Sequence, residues 1–177
     1  MAAGREIRLR IRGIQYDNFD PVETVQEVQA SYFFRTGAHY LLYEEQPEGF
    51  EQVIKTRVKR RGEYLEINRQ GPMGGSMVFE PGKTYRMEYA TPFGTLMLDI
   101  VTEAVEVMLP GESPKGTMMT VPEDSAGITP ESANSVESGS GNRAESDTGS
   151  WQNVKIQYVL ENRGEALGKY ELYIEKI

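Results

Sequence analysis

Hydrophobic and polar residues alternate with a period of two along most of the chain, which predicts β-strands rather than helices. In the first stretch Ile7, Leu9 and Ile11 share one face and the arginines between them share the other. A sheet with one dry and one wet face favours this pattern. The same alternation returns further on, with Val28, Ala30, Tyr32 and Phe34 in one strand and His39, Leu41 and Tyr43 in the next.

Glycine-containing segments between the alternating stretches predict tight turns and hairpins. The run VIKTRVKRRGEYLEINR predicts a hairpin that turns at Arg61 and Gly62 and pairs Val58 with Leu65. The run SMVFE-PGK-TYRMEY predicts a second hairpin, and VKIQYVL predicts a third with YELYIEK near the end of the chain. Hydrophobic residues change phase between Thr102 and Val105, which predicts a β-bulge near that point.

These elements amount to about ten strands without an amphipathic helix, so an antiparallel meander is the simplest topology. Closure into a barrel of about 8–10 strands removes exposed edges, and a β-sandwich is the alternative. We expect residues 1–177 to form a single domain. Residues 110–150 are acidic and rich in serine and glycine, which predicts a disordered loop insertion within the barrel, with order resuming at Trp151.

Composition excludes several classes of function. The net charge is −8, which argues against a DNA-binding protein. There are no cysteines, which favours a reducing compartment, and no stretch is long and apolar enough for a membrane span, so we expect a cytoplasmic protein without membrane contact. With one histidine, a catalytic triad or a two-histidine metal site cannot form. We predict no enzymatic activity, no catalytic residue, no cofactor and no metal.

A resemblance adds to this interpretation. The succession YLLYEE, the basic hairpin, MVFEPGKTYRMEYATPFGTLMLDI, NVKIQYVLEN and YELYIEKI resembles the YwiB-like family of uncharacterised bacterial barrel proteins. The most specific matching positions are Gly82, Tyr89, Thr91, Pro92 and Gly94. The resemblance implies a calycin-like barrel, the shape of lipocalins and fatty-acid-binding proteins, and it implies no activity. The Gly-x-Trp signature of lipocalins is absent from the first strand.

Two hypotheses for function follow. In the first, the lumen binds a small hydrophobic or amphipathic molecule, because the predicted inner face is rich in aromatic side chains. Its candidate residues are Tyr32, Phe34, His39, Leu41, Tyr43, Met87, Tyr89, Leu98, Ile100 and Tyr158. In the second, basic outer strand faces bind RNA or an acidic protein. Its candidate residues are Arg8, Arg10, Arg12, Lys55, Arg57 and Lys59.

Overall fold

The computed structural model describes residues 4–17, 20–46, 49, 51–71, 74–108 and 150–177. Within these ranges the chain forms ten strands and no helix, and therefore no helix that could cross a membrane. The strands are β1 Arg5–Tyr16, β2 Val22–Arg35, β3 Ala38–Glu45, β4 Ile54–Arg61, β5 Tyr64–Gln70, β6 Gly75–Phe79, β7 Thr84–Thr91, β8 Gly94–Met108, β9 Asn153–Asn162 and β10 Glu165–Lys176. The loop insertion predicted for residues 110–150 falls almost entirely outside the described residues.

All strand pairs are antiparallel, in the order β6-β5-β4-β3-β2-β1-β10-β9-β8-β7. The first and last strands, β1 and β10, pair with each other through Ile11 and Ile174, which brings the two halves of the meander together. The result is a nearly closed, ten-stranded barrel, as the alternation predicted. Inner positions of the strands supply its core, including Leu9, Leu41 and Ile156, which are fully buried.

The barrel has one interruption, between β6 and β7, where no backbone ladder forms. The two strands still lie side by side. Their backbones are so close that a Cβ placed on Gly75 would be 2.9 Å from the carbonyl oxygen of Glu88. The turn between them contacts β8 instead, through hydrogen bonds from Gly82 N to Thr102 O and from Thr102 N to Lys83 O. The prediction that SMVFE-PGK-TYRMEY forms a hairpin is therefore wrong, because β6 and β7 form no ladder with each other.

The hairpin of β4 and β5 exists, but its register differs from the prediction. Its loop is Gly62 and Glu63, and Val58 lies opposite Ile67 rather than Leu65. Gly62 has a φ of 59°, and a left-handed residue at the first loop position is typical of a type II′ turn. The true register is shifted by two residues relative to the predicted one, so every side chain stays on its predicted face.

The predicted bulge in β8 is confirmed. Opposite β9, Thr102 pairs with Tyr158 and Ala104 pairs with Gln157, which leaves Glu103 as the additional residue. Hydrophobic side chains of β8 therefore face inward both before and after the bulge, since Ile100 and Val105 are both buried despite their opposite parity. A long strand that bends in this way can follow the curvature of a barrel.

One end of the barrel, which we call the closed end, is filled by Tyr32, His39, Arg60 and Trp151, all at most 4% exposed. Tyr32 Oη and His39 Nδ1 share a hydrogen bond of 2.9 Å, and the Trp151 ring meets the His39 ring edge-on with 6.3 Å between centroids. Trp151 Nε1 donates to the Ile174 carbonyl oxygen at 3.4 Å. The side chain of Trp151 thereby seals this end of the barrel.

Candidate functional site

The opposite end of the barrel, which we call the open end, contains a cavity of about 650 Å³ that we call the lumen pocket. It lies where β1, β3, β5 and β9 end and where β2 and β10 begin. Its lining combines aliphatic, aromatic and polar side chains. These include Ile11, Gln26, Arg69, Tyr158, Tyr170 and Leu172. A volume of this size and a mixed lining are typical of sites for small molecules.

Two tyrosines form one wall of the lumen pocket. The rings of Tyr158 and Tyr170 stack with 5.3 Å between centroids, and Phe79 meets Tyr158 edge-on at 4.9 Å. Burial raises the pKa of Tyr158 to about 12, with a smaller contribution from Tyr170, while the positive charge of Arg69 acts in the opposite direction. The hydroxyl of Tyr158 therefore stays protonated at neutral pH and can donate a hydrogen bond into the pocket.

A group of polar side chains, which we call the lumen polar cluster, lies at another part of the pocket. Gln26 and Arg69 line the cavity, and Glu45 and Thr56 contact them. Glu45 is 9% exposed, and its oxygens accept hydrogen bonds from Thr56 Oγ1 at 2.7 Å and Gln26 Nε2 at 3.0 Å. Arg69 Nη2 is 3.7 Å from Glu45 Oε1. A buried carboxylate requires such partners, because removing an ionised group from water is costly.

The strand register explains how these residues come together. Tyr43 of β3 lies opposite Thr56 of β4, and Thr56 lies opposite Arg69 of β5, so all three point into the lumen from one row. Burial raises the pKa of Tyr43, and the negative charge of Glu45 adds to this effect. The polar atoms of these three side chains therefore lie inside a barrel whose other inner residues are mostly apolar.

The residues predicted for the lumen mostly fill it rather than line a pocket. Leu41, Tyr43, Met87, Leu98 and Ile100 are buried in the core, Tyr89 is partly buried against it, and Tyr32 and His39 belong to the closed end. Tyr158 is the member of the predicted set that lines the lumen pocket.

Phe34 requires a correction, since it is 40% exposed and not part of the interior. It lies near the end of β2, one residue before the strand stops, where its ring contacts His39 at 4.9 Å between centroids. Alternation gave the correct face, but the barrel wall ends before this side chain can be covered.

The lumen polar cluster was not among the predicted site residues. Arg69 is in phase with Leu65 and Ile67 along β5, and Thr56 is in phase with Ile54 and Val58 along β4. A polar residue at such an inner position, flanked by apolar residues of the same phase, is the signal in the sequence that could have identified the cluster.

The two basic strand faces remain apart, because β2 and β3 lie between β1 and β4. Arg8 and Arg10 both bind Glu27, at 3.1 and 2.9 Å, and Arg57 binds Glu66 at 3.1 Å. The other three bases also face acids or an aromatic ring. Arg12 lies 3.6 Å from Glu23 and over the ring of Tyr173, Lys55 lies 3.8 Å from Glu44, and Lys59 lies opposite Glu66.

An outer groove of about 750 Å³ lies between these two basic faces. Its charged lining residues are three acids, Glu6, Glu27 and Glu44, and two bases, Lys55 and Arg57. The groove thus carries a small negative charge, and the predicted contiguous basic patch does not form.

Comparison with known proteins agrees with this architecture. Over 97% of its length the chain matches the crystal structure of the ywiB protein from Bacillus subtilis, covering 92% of that chain, with a TM-score of 0.62 and 16% sequence identity. At this identity the likeness shows the fold alone. No curated protein matches the chain. Residues 8–120 match the model of a family described as a domain of unknown function (DUF1934). The resemblance to a YwiB-like family is thereby confirmed, and the chain belongs to the DUF1934 family.

Proposed function

We propose that this protein is a non-catalytic cytoplasmic binding protein that holds one small, partly hydrophobic molecule in the lumen pocket, as calycin-like carriers do. The observation that carries the proposal is the uneven filling of the barrel. Side chains close one end completely, while the other end retains a cavity of about 650 Å³ with aromatic, aliphatic and polar walls. The absence of cysteine supports the cytoplasmic location.

Fluorescence of N-phenyl-1-naphthylamine, an uncharged apolar dye, tests the proposal. We expect saturable enhancement on binding to the protein. Thr24→Trp should abolish this binding, because Thr24 is exposed at the pocket mouth and a large ring there blocks entry without disturbing the core. Val53→Trp is the matched control, since Val53 is also exposed at the open end but does not line the pocket. Absence of saturable binding, or binding that survives Thr24→Trp, would overturn the proposal.

The second candidate, an exterior that binds RNA or an acidic protein, has less support. Its basic residues face acids on neighbouring strands, and the groove between them carries more acids than bases. Filter binding to RNA at low salt tests this candidate, because phosphate contacts strengthen as salt is removed. We expect no retention, and retention that disappears in an Arg10→Gln/Arg57→Gln double variant would favour the exterior instead.

A further inference from the structure

Both carboxylate oxygens of Glu45 in the lumen polar cluster already accept a hydrogen bond from the protein. Glu45 Oε1 accepts from Thr56 at 2.7 Å, and Glu45 Oε2 accepts from Gln26 at 3.0 Å. Gln26 and Thr56 thereby fix the orientation of the carboxylate. A ligand donor that approached Glu45 would have to share an oxygen that already accepts from Thr56 or Gln26, so the cluster favours a ligand that brings an acceptor instead.

Other hydrogen-bond donors around the lumen pocket, by contrast, lack hydrogen-bond partners among the residues that the structure describes. Arg69 forms no hydrogen bond with any described residue, and its buried Nε atom has no partner. The hydroxyls of Tyr158 and Tyr170, which line the same cavity, also form no side-chain hydrogen bond within the described ranges. The Arg69 side chain is 39% exposed, so water reaches part of the guanidinium group, but its Nε–H is buried, and an unsatisfied buried donor is unfavourable. Arg69, Tyr158 and Tyr170 therefore present unused hydrogen-bond donors at the pocket wall.

The charge of the cluster is balanced before any ligand enters. Arg69 contributes one positive charge and Glu45 one negative charge, 3.7 Å apart. A carboxylate that approached Arg69 would add a second negative charge beside a buried glutamate, and an ammonium group would lie beside the arginine. Both arrangements place like charges side by side, and a nearby like charge disfavours the ionised form of a group. An uncharged acceptor satisfies the donors without disturbing this balance.

We infer that the lumen pocket is specific for a molecule with an apolar body and an uncharged carbonyl acceptor, such as a ketone, ester or amide, whose oxygen accepts a hydrogen bond from Arg69. This inference rests on the proposed function, because it requires that the lumen pocket bind a ligand. It adds the chemistry of the ligand's polar end. The apolar body lies against Ile11, Leu172 and the stacked tyrosines.

Displacement of N-phenyl-1-naphthylamine by three ten-carbon compounds tests the inference on the wild-type chain. We expect 2-decanone to displace the dye at about one tenth of the concentration needed for decanoate or decylammonium, because either ion brings a second like charge beside Glu45 or Arg69. Equal or better displacement by either ion would overturn the inference. Failure of the dye itself to bind would instead overturn the proposed function, so the two failures are distinguishable.

Two substitutions sharpen the test. Arg69→Met should raise the concentration of 2-decanone needed for displacement about tenfold, after correction for the dye affinity measured in the same variant, because it removes the donor and keeps an apolar side chain of similar length. Glu45→Gln should improve displacement by decanoate, because it removes the repelling charge. Arg8→Met on the outer face is the control and should change neither value. If 2-decanone binds Arg69→Met and wild type equally while the dye still binds both, the inference is wrong.

Discussion

The two ends of this barrel differ in what their inner side chains do, although the same strands run between them. At the closed end, aromatic side chains and a buried arginine fill the lumen completely. At the open end, the lumen instead contains a cavity and a polar cluster in which the charges of Arg69 and Glu45 balance. The comparison teaches that the packed core and the open cavity are separated along the barrel axis, so that the cavity can remain unfilled by side chains without weakening the packing that holds the strands together.

Exposed hydrophobic side chains follow the same division. Eleven large hydrophobic residues are exposed in the described part of the chain, and nine of them lie on the turns of the open end or within four residues of those turns. They are Tyr16, Val22, Val25, Leu42, Val53, Phe93, Leu96, Met97 and Leu167. An apolar rim beside a cavity is consistent with a mouth through which a partly hydrophobic molecule passes.

The largest effect we expect comes from removing the seal of the closed end. Trp151→Ala should lower the free energy of unfolding by about 3–5 kcal/mol, because it deletes a fully buried ring and leaves a cavity. Urea denaturation measures this loss. Dye binding at the open end should persist under native conditions. A loss below about 1 kcal/mol, or loss of dye binding from a folded variant, would contradict the separation of the two ends.

The dependence of stability on alkaline pH tests whether water reaches Tyr158 at the inner wall of the pocket. The pKa of Tyr158 is raised to about 12 in the folded chain, against about 10 when unfolded. Between these values the unfolded chain has lost a proton that the folded chain keeps, so stability falls as pH rises. The slope is on the order of 1.4 kcal/mol per pH unit for this residue. Tyr158 makes no contribution to this pH dependence well below its unfolded pKa of about 10.

Unfolding free energies measured from pH 9 to pH 12 should therefore show a steeper decline for the wild type than for Tyr158→Phe. The residual slope in Tyr158→Phe reflects other tyrosines with raised pKa values, including Tyr43. Equal slopes in the two proteins would indicate that Tyr158 is hydrated and that the pocket is wet to its base.

A smaller effect concerns Thr102, which lies in the interior of β8 opposite Tyr158. Its hydroxyl is buried without a hydrogen-bond partner. Thr102→Val keeps the shape and removes the unsatisfied group, so we expect stability to rise by up to about 1 kcal/mol in urea denaturation. Thr102→Ser retains the hydroxyl and serves as the control. Destabilisation by Thr102→Val would show that the hydroxyl has a partner in solution.

The smallest effect should come from the open-end rim. Phe93 is 99% exposed at the turn between β7 and β8, so Phe93→Ser should change the free energy of unfolding by less than about 0.5 kcal/mol. Thermal unfolding monitored by circular dichroism measures this value. A larger loss would mean that the rim contributes to stability, and the contrast between the two ends would then need revision.

The fold was predictable from the sequence wherever a single dry face imposed alternation. The strands and the bulge after Thr102 follow from this pattern. The register of β4 and β5 did not, because a shift of two residues leaves Val58 and Ile67 facing inward. The missing ladder between β6 and β7 was also unpredictable, since it depends on how the closing sheet brings its two edge strands together.

The site was less predictable than the fold. Polarity identified inward residues such as Leu41 and Ile100 but could not show that they would fill one part of the lumen and leave another part open. That outcome depends on side-chain volumes summed across strands distant in sequence. Arg69 and Glu45 become neighbours through two consecutive strand pairings, β3 with β4 and β4 with β5, so their ion pair required the correct register of both.

The attachment of the long segment between Met108 and Ser150 has a practical consequence. Met108 pairs with Asn153 beside the tryptophan seal, so both flanks of the segment lie at the end opposite the pocket mouth. A fluorophore, affinity tag or surface linker introduced between these flanks would begin and finish far from the mouth. The protein could therefore be immobilised there with the cavity facing the solution, which makes it a convenient scaffold for screening compounds on a sensor chip.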